Sequence, residues 1–95
     1  MYASHVEVQI QSGKTAEAIQ RVKDMTADIG TIPNIKRFML IDKGNDKALF
    51  IAFYNTAEEQ EGATAKAQEL LGALADLMAG PPERVQVEVA IEHTY

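Results

Sequence analysis

Hydrophobic and polar residues alternate in two stretches of the chain, one near its start and one near its end. Val6, Val8 and Ile10 alternate with polar neighbours, and apolar residues at every second position from Val85 to Ile91 repeat the pattern. A period of two predicts a β-strand with one buried face. Both stretches are therefore predicted strands of a sheet that is covered on one side.

Two longer stretches carry apolar residues at the spacing of three and four that is typical of an amphipathic helix. The first covers 15–29 and ends at Gly30. The second covers about 57–79, and Thr56 and Glu59 form a capping-box pattern at its start. A hydroxyl three residues before a carboxylate satisfies backbone N–H groups that a helix start leaves free.

Two further predicted strands, about 36–42 and 48–54, flank the turn-rich segment 43–46. We expect an antiparallel hairpin whose loop is too long for a two-residue turn. The predicted order is β-α-β-β-α-β in a single domain, 1–95. This order is typical of the ferredoxin-like α+β fold, in which right-handed crossovers place two helices on one face of a four-stranded antiparallel sheet.

The hairpin strands are apolar on both faces, unlike the first and last strands. The face without helices therefore exposes several large apolar side chains: Met39, Ile41, Leu49, Ile51 and Phe53. A contiguous exposed apolar patch is uncommon on a monomer and usually marks an interface. We expect a homodimer that packs through the helix-free sheet face.

The charge of the chain changes the list of expected partners. Fourteen acidic residues outnumber nine basic ones, which gives a formal charge of −5. This charge repels phosphate backbones and anionic lipids, so neither nucleic acid nor a membrane surface is expected as a partner. The chain has no cysteine, which excludes disulfides, thiolate catalysis and sulfur-based metal sites.

Targeting signals are also absent from the pattern. The start of the chain has no basic segment followed by an apolar stretch, so no secretory signal is expected. The longest apolar run, 48–54, is far shorter than the ~20 residues of a membrane span. We therefore expect a soluble, cytoplasmic protein.

Several segments together carry a resemblance to a known family. They are the opening Met1-Tyr2-Ala3, the turn Gln11-Ser12-Gly13-Lys14 and the segments 32–38, 42–49, 53–59 and 81–85. In these segments the chain resembles the antibiotic biosynthesis monooxygenase-like family. The resemblance implies a dimeric α+β barrel, in which two ferredoxin-like protomers pack their sheets together. It also implies a pocket between sheet and helices, with activities that include cofactor-independent oxygenation of quinol-type aromatics and oxidative opening of heme.

The signature residues of the heme-degrading branch are missing from this chain. Alignment through Gly13 places the branch's catalytic asparagine position on Val6, the chain has no tryptophan, and 57–79 contains no histidine. The resemblance therefore disfavours heme cleavage. Tyr54 stands where many members carry a tryptophan, and its phenol can either hold a substrate hydroxyl or serve in packing.

Polar residues on the first and last strands offer a second candidate site. They are His5, Glu7, Gln9, Gln86, Glu88 and Glu92. Since this fold places the two strands side by side, the residues can converge on a hard metal or on a proton to be shuttled. The alternative is a solvated sheet margin, which is typical of carboxylates. We favour the margin and predict no metal.

The alternation of the strands places one candidate pocket between helices and sheet. Its predicted lining is Val6, Phe38, Phe50, Ala52, Tyr54 and Leu74. The resemblance implies a cofactor-independent monooxygenase that acts on a small aromatic or quinol-type substrate, and the few ionisable groups of this lining agree with chemistry in which the pocket supplies orientation and desolvation. The alternative is a non-catalytic homodimer that binds a hydrophobic small molecule or a protein partner.

Overall fold

The computed structural model describes residues 1–95 and contains one four-stranded antiparallel sheet. The strands are β1 (Tyr2–Gln9), β2 (Arg37–Gly44), β3 (Lys47–Tyr54) and β4 (Glu83–Glu88). The helices are α1 (Thr15–Asp24), α2 (Thr26–Ile29), α3 (Ala57–Gly62) and α4 (Thr64–Gly72). The strand order is β2-β3-β1-β4, so β1 and β3 are central. The ferredoxin-like α+β fold predicted from the sequence is confirmed.

All the helices pack on one face of the sheet, which we call the helix-covered face. Val6 of β1 pairs with Phe50 of β3, and both side chains belong to the buried core. Ala18 and Val22 of α1 and Leu74, which follows α4, pack in the same cluster. The opposite surface is the helix-free face. No helix of the structure has the length and apolar composition to cross a membrane.

The β2–β3 hairpin closes through a two-residue turn, so the prediction of a longer loop is wrong. β2 continues to Gly44, and Asn45 and Asp46 alone connect it to β3. Their φ angles are 55° and 59°, the left-handed values of a type I′ turn. Gly44 also has a positive φ of 79° beside an irregular register, which adds twist just before the turn.

The predicted first helix is broken into α1 and α2 at Met25. Met25 has φ −97° and ψ 3°, outside the helical range, and its N–H donates to the carbonyl of Val22. The hydroxyl of Thr26 donates to the carbonyl of Lys23 at 3.1 Å. A threonine hydroxyl that takes a backbone acceptor competes with the helical ladder, which accounts for the break at this point.

The predicted second helix begins as expected and then breaks. The N–H of Glu59 donates to the hydroxyl of Thr56 at 3.1 Å, which confirms the N-cap. The reciprocal bond of a capping box, from the Thr56 N–H to the Glu59 carboxylate, is not formed, and the buried Oε2 atom of Glu59 has no partner. A break at Ala63, directly after Gly62, separates α3 from α4. Glycine weakens a helix at this point because it loses much backbone freedom on folding.

The second helical region ends earlier than predicted. α4 ends at Gly72, and 75–77 form a short 3₁₀ turn. Beyond this turn the chain pairs with the end of β1: Met78 forms an isolated bridge to Ile10, and the N–H of Ala79 donates to the carbonyl of Gln9 at 2.8 Å. This pairing satisfies backbone groups that a longer helix would need for its own ladder.

The helix-free face contains the apolar side chains that the hairpin pattern placed there. Met39 pairs with Ile51 and Ile41 with Leu49 across the two strands. Ile41 is 38% exposed, and the others are partly buried.

The last strand extends this apolar surface, contrary to expectation. β4 covers 83–88 rather than 85–91, and Val85 pairs with His5 of β1. Val85 and Val87 therefore lie on the helix-free face, where they are 52% and 42% exposed. The expectation that their alternation marks a buried face is wrong, because the register with β1 turns this side of β4 away from the helices.

Candidate functional site

A mostly apolar cavity lies between the helix-covered face and the helices. Its volume is about 60 Å³, and 13 of its 15 lining residues are hydrophobic. All six residues of the predicted pocket line it: Val6, Phe38, Phe50, Ala52, Tyr54 and Leu74. Small-molecule sites typically measure ~300 to 1,000 Å³ and are lined mainly by apolar side chains. The cavity has this apolar character but a smaller volume, so an aromatic molecule fits only when the helix side chains that border the cavity move.

The sheet forms the floor of the cavity through aligned positions on three strands. Val6 on β1 faces Phe50 on β3, and Ala52 on β3 faces Phe38 on β2. The rings of Phe38 and Phe50 lie 6.0 Å apart between centroids, at an interplanar angle of 33°. Because Ala52 is small, it leaves space beside the two rings. These aromatic side chains do not fill the cavity.

The helices supply the roof of the cavity. Its lining residues there are Val22, Met25, Ile29, Leu70, Leu71 and Leu74. Met25 lies at the break between α1 and α2, and Ile29 is the last residue of α2. A methionine adapts its shape to different neighbours, so the roof can adjust to a bound molecule. The sequence pattern assigned these residues to helices without showing that they border an open space.

Tyr54 places a polar atom in this apolar environment. The residue is fully buried at 0% exposure, and its phenol oxygen has no hydrogen-bond partner. Burial raises the pKa of Tyr54 above its ordinary value of 10.0, and the positive charge of Arg84 opposes this shift. The phenol is therefore protonated at neutral pH, where it can donate a hydrogen bond but does not act as a base.

Arg84 is the functional candidate that the sequence pattern missed. It pairs with Val6 across β1 and β4, and its side chain lines the cavity beside Ser4. One guanidinium nitrogen donates to the hydroxyl of Ser4 at 3.0 Å and another to that of Thr64 at 3.0 Å. The buried Nε atom has no partner. The predicted last strand begins at Val85 and leaves Arg84 out, and only the register with β1 shows that Arg84 lies on the helix-covered face.

A buried glutamine fixes the polar side of the cavity. Gln60 of α3 is 3% exposed, and its amide nitrogen donates to the carbonyl of Ala3 at 2.6 Å. The same nitrogen lies 3.5 Å from the hydroxyl of Ser4. A satisfied buried hydrogen bond of this kind holds α3 in one position against β1. Ser4, which Arg84 also contacts, is thereby fixed in place.

The second candidate site does not assemble. His5 pairs with Val85, and Ser4 pairs with Gln86, so adjacent positions alternate between the faces. His5, Glu7 and Gln9 consequently lie on the helix-free face, whereas Gln86 and Glu88 lie on the helix-covered side. Glu92 lies beyond the last strand. The two sets of residues therefore do not converge, because a shift of one residue exchanges the faces of a strand. No cluster of three or more potential metal-binding side chains is present in 1–95.

Comparison with known proteins identifies relatives in fold. No protein-family model and no curated protein matches the chain. A protein of unknown function from Nitrosomonas europaea superposes with a TM-score of 0.81 at 14% identity, covering 99% of this chain and 93% of that one. A second protein from Nitrosomonas europaea, provisionally named an antibiotic biosynthesis monooxygenase, gives 0.74 at 19% identity, with 96% and 100% covered.

A third structure with this fold contains bound porphyrin. It is a mutant of MhuD with two manganese protoporphyrin IX molecules per active site, and it superposes with a TM-score of 0.75 at 16% identity over 100% of both chains. The resemblance to the antibiotic biosynthesis monooxygenase-like proteins is therefore confirmed at the level of fold. Identities this low establish the shared fold and carry no activity to this chain.

Proposed function

We propose that the cavity binds a small aromatic molecule and that the protein is a cofactor-independent monooxygenase acting on a quinol-type substrate. The observation that supports this proposal is an apolar cavity lined by Tyr54, whose buried hydroxyl has no hydrogen-bond partner in the chain. Phe38 and Phe50 offer aromatic surface, and Tyr54 offers one hydrogen bond. An aromatic ring with a hydroxyl group complements both features. Fold relatives that are named as monooxygenases agree with this assignment.

The chemistry requires no group beyond the substrate and dioxygen. An electron-rich aromatic anion transfers electrons to O₂. One oxygen atom then enters the ring while the other leaves as water with two substrate hydrogens. The substrate supplies all the electrons, so no external reductant is needed. The protein contributes orientation and removal of water, which raise the reactivity of the anion.

The residues of the cavity have separate roles in this reaction. Tyr54 is protonated at neutral pH and donates a hydrogen bond to a substrate oxygen. The positive charge of Arg84 favours the anionic form of a substrate bound nearby. Phe38 and Phe50 hold the plane of the ring between sheet and helices.

The residues present do not fit heme as the resident group. His5 and His93 are the only histidines, and neither lines the cavity. Tyr54 lines it, but its raised pKa disfavours the tyrosinate form that ligates iron. We therefore derive no step through heme.

The proposed assembly is a homodimer that packs through the helix-free face. Met39, Ile41 and Ile51 form the centre of this apolar surface, and Val85 and Val87 extend it. The salt bridge from Lys43 to Glu7, at 3.3 Å, lies at its margin. An apolar centre with charged margins is typical of a protein interface.

Sedimentation velocity of the wild type and Ile51→Asp tests the assembly. We expect the wild type to be dimeric and the variant to be monomeric, and a monomeric wild type contradicts the proposed dimer.

Oxygen uptake with a panel of hydroquinones tests the activity. We expect uptake by the wild-type protein and none by Leu74→Trp, because the larger side chain fills the cavity. Ala65→Trp places the same side chain at an exposed position of α4 and serves as the matched control. We expect Tyr54→Phe to lower kcat/KM about tenfold, the value of one hydrogen bond to a charged oxygen. Equal uptake in wild type and Tyr54→Phe contradicts the role of that residue.

A non-catalytic ligand-binding protein is the second candidate function. It is favoured by the lack of a general base, since Tyr54 and Arg84 are the only titratable side chains that line the cavity. The phenol of Tyr54 is protonated at neutral pH and does not act as a base. Measurement of hydroquinone binding alongside oxygen uptake separates the two functions. Binding of the hydroquinones with no oxygen uptake above buffer contradicts the monooxygenase and supports the binding protein.

A further inference from the structure

The polar corner of the cavity, which we define as Ser4, Tyr54, Thr64 and Arg84, contains a positive charge without a counter-ion. None of the four ion pairs of the chain includes Arg84. Its two hydrogen-bond partners are the neutral hydroxyls of Ser4 and Thr64. A partly buried cation is normally paired with an anion, because neutral acceptors compensate its lost hydration only in part.

Two donors in this corner are also left without acceptors. The Nε atom of Arg84 and the phenol oxygen of Tyr54 are both buried, and neither has a hydrogen-bond partner in the chain. Tyr54 is 0% exposed, and both residues line the same cavity. Buried polar groups are usually satisfied, so two unsatisfied donors beside one apolar space indicate a missing acceptor.

We propose that the ligand of the cavity is an aromatic carboxylic acid, whose carboxylate binds at the polar corner while its ring packs against Phe38 and Phe50. A carboxylate provides the negative charge that Arg84 lacks and has two oxygens that can accept from the guanidinium and the phenol. The apolar remainder of the lining complements the ring. This inference rests on the proposed function and specifies its substrate class.

The arrangement of the corner favours a carboxylate at a fixed position. Ser4 and Thr64 hold the guanidinium from two sides at 3.0 Å each, and Gln60 fixes α3 against β1 next to Ser4. The side chain of Arg84 is therefore oriented before a ligand arrives. Preorganised donors lower the entropic cost of binding.

Titration of the ¹⁵N-labelled protein with 2-naphthoate and 2-naphthamide, followed by NMR, tests the proposal. The two compounds share the ring and differ in charge. We expect 2-naphthoate to bind about tenfold more tightly or better, as charge-assisted hydrogen bonds allow. Shifts should concentrate at the cavity lining. Equal affinities overturn the carboxylate assignment and leave aromatic binding intact, whereas binding of neither compound contradicts both proposals.

Variants test whether Arg84 is the group that favours 2-naphthoate over 2-naphthamide. Arg84→Gln should bind both compounds with the affinity of the neutral one, and Arg84→Lys should retain part of the preference because it keeps the charge without Nε. Arg37→Gln removes the same charge from an exposed position on the helix-free side and should leave the preference unchanged. Loss of the preference in Arg37→Gln indicates a general charge effect and overturns the assignment. Acetate alone binding as tightly as 2-naphthoate shows a simple anion site, which also overturns it.

Discussion

The unpartnered phenol of Tyr54 predicts an unusual response to its removal. A buried tyrosine hydroxyl normally forms a hydrogen bond, and Tyr→Phe then destabilises the protein by about 1 kcal/mol. Here the hydroxyl is buried at 0% exposure without a partner. It has lost its hydration with no compensating bond, at a cost of about 1–3 kcal/mol. Tyr54→Phe removes this cost and keeps the ring that packs in the core.

We therefore expect Tyr54→Phe to be as stable as the wild type or more stable by up to about 2 kcal/mol. For a domain of this size, a gain of about 1 kcal/mol raises Tm by about 4–8 °C. Urea unfolding of both proteins at pH 7 and equal concentration, in ligand-free buffer, measures the difference. Tyr95→Phe removes an exposed hydroxyl and provides the matched control, with an expected change near zero.

A clear loss of stability in Tyr54→Phe refutes this reasoning. A decrease of about 1 kcal/mol or more shows that the phenol is hydrogen-bonded in the folded protein. The phenol of Tyr54 is then not free to bind a ligand. A gain in stability together with weaker ligand binding shows instead that the hydroxyl is retained at the expense of the folded state, which is common in functional sites.

Three further predictions concern titration and turn geometry. Because burial raises the pKa of Tyr54 above 10.0, the contribution of its protonated phenol to the free energy of unfolding is present below pH 10 and is lost as pH rises through the folded pKa. In alkaline unfolding the wild type should therefore lose stability faster than Tyr54→Phe, by up to about 1.4 kcal/mol per pH unit. The hydrogen bond from Arg21 lowers the pKa of Asp76, so the contribution of this ion pair to the free energy of unfolding is present above pH 3.8 and is lost as pH falls through the folded pKa. In acid unfolding the stability of Asp76→Asn should therefore fall less steeply with decreasing pH than that of the wild type. Asp46 accepts a hydrogen bond from the Thr15 hydroxyl at 2.6 Å and has a φ of 59°. Urea unfolding should show that Asp46→Ala lowers the free energy of unfolding by roughly 2 kcal/mol or more, and that Asp46→Asn, which tolerates this φ, lowers it by less than half of that. Equal losses in the two variants contradict the role of Asp46 in the turn.

The fold was predictable because its signals are local. Alternation at Val6, Val8 and Ile10 and helical spacing after Thr15 are determined by the strands and helices themselves. The order of the elements then leaves few topologies. The two-residue turn at Asn45 and Asp46 was missed because the predicted strands stop at 42 and begin at 48, whereas polar residues extend both strands to Gly44 and Lys47.

The polar corner was not predictable from alternation alone. A period-two pattern shows that Arg84 and Val85 lie on opposite faces of β4, but it does not show which face the helices cover. The pairing of Arg84 with Val6 decides this question, and that pairing depends on the register between distant strands. The apolar lining was predictable from the alternation of strand residues between the two faces of the sheet. The open space depends on how Ala52 and Leu74 pack.

Native mass spectrometry of the protein with a bound hydroquinone or 2-naphthoate tests the central claim most directly. The account predicts a dimer of ~20.8 kDa, twice the 10.4 kDa chain, with one ligand in each cavity. Leu74→Trp, whose cavity is filled, should form the same dimer without ligand. Absence of ligand from the wild type, or equal retention by Leu74→Trp, contradicts the claim that this cavity is the binding site.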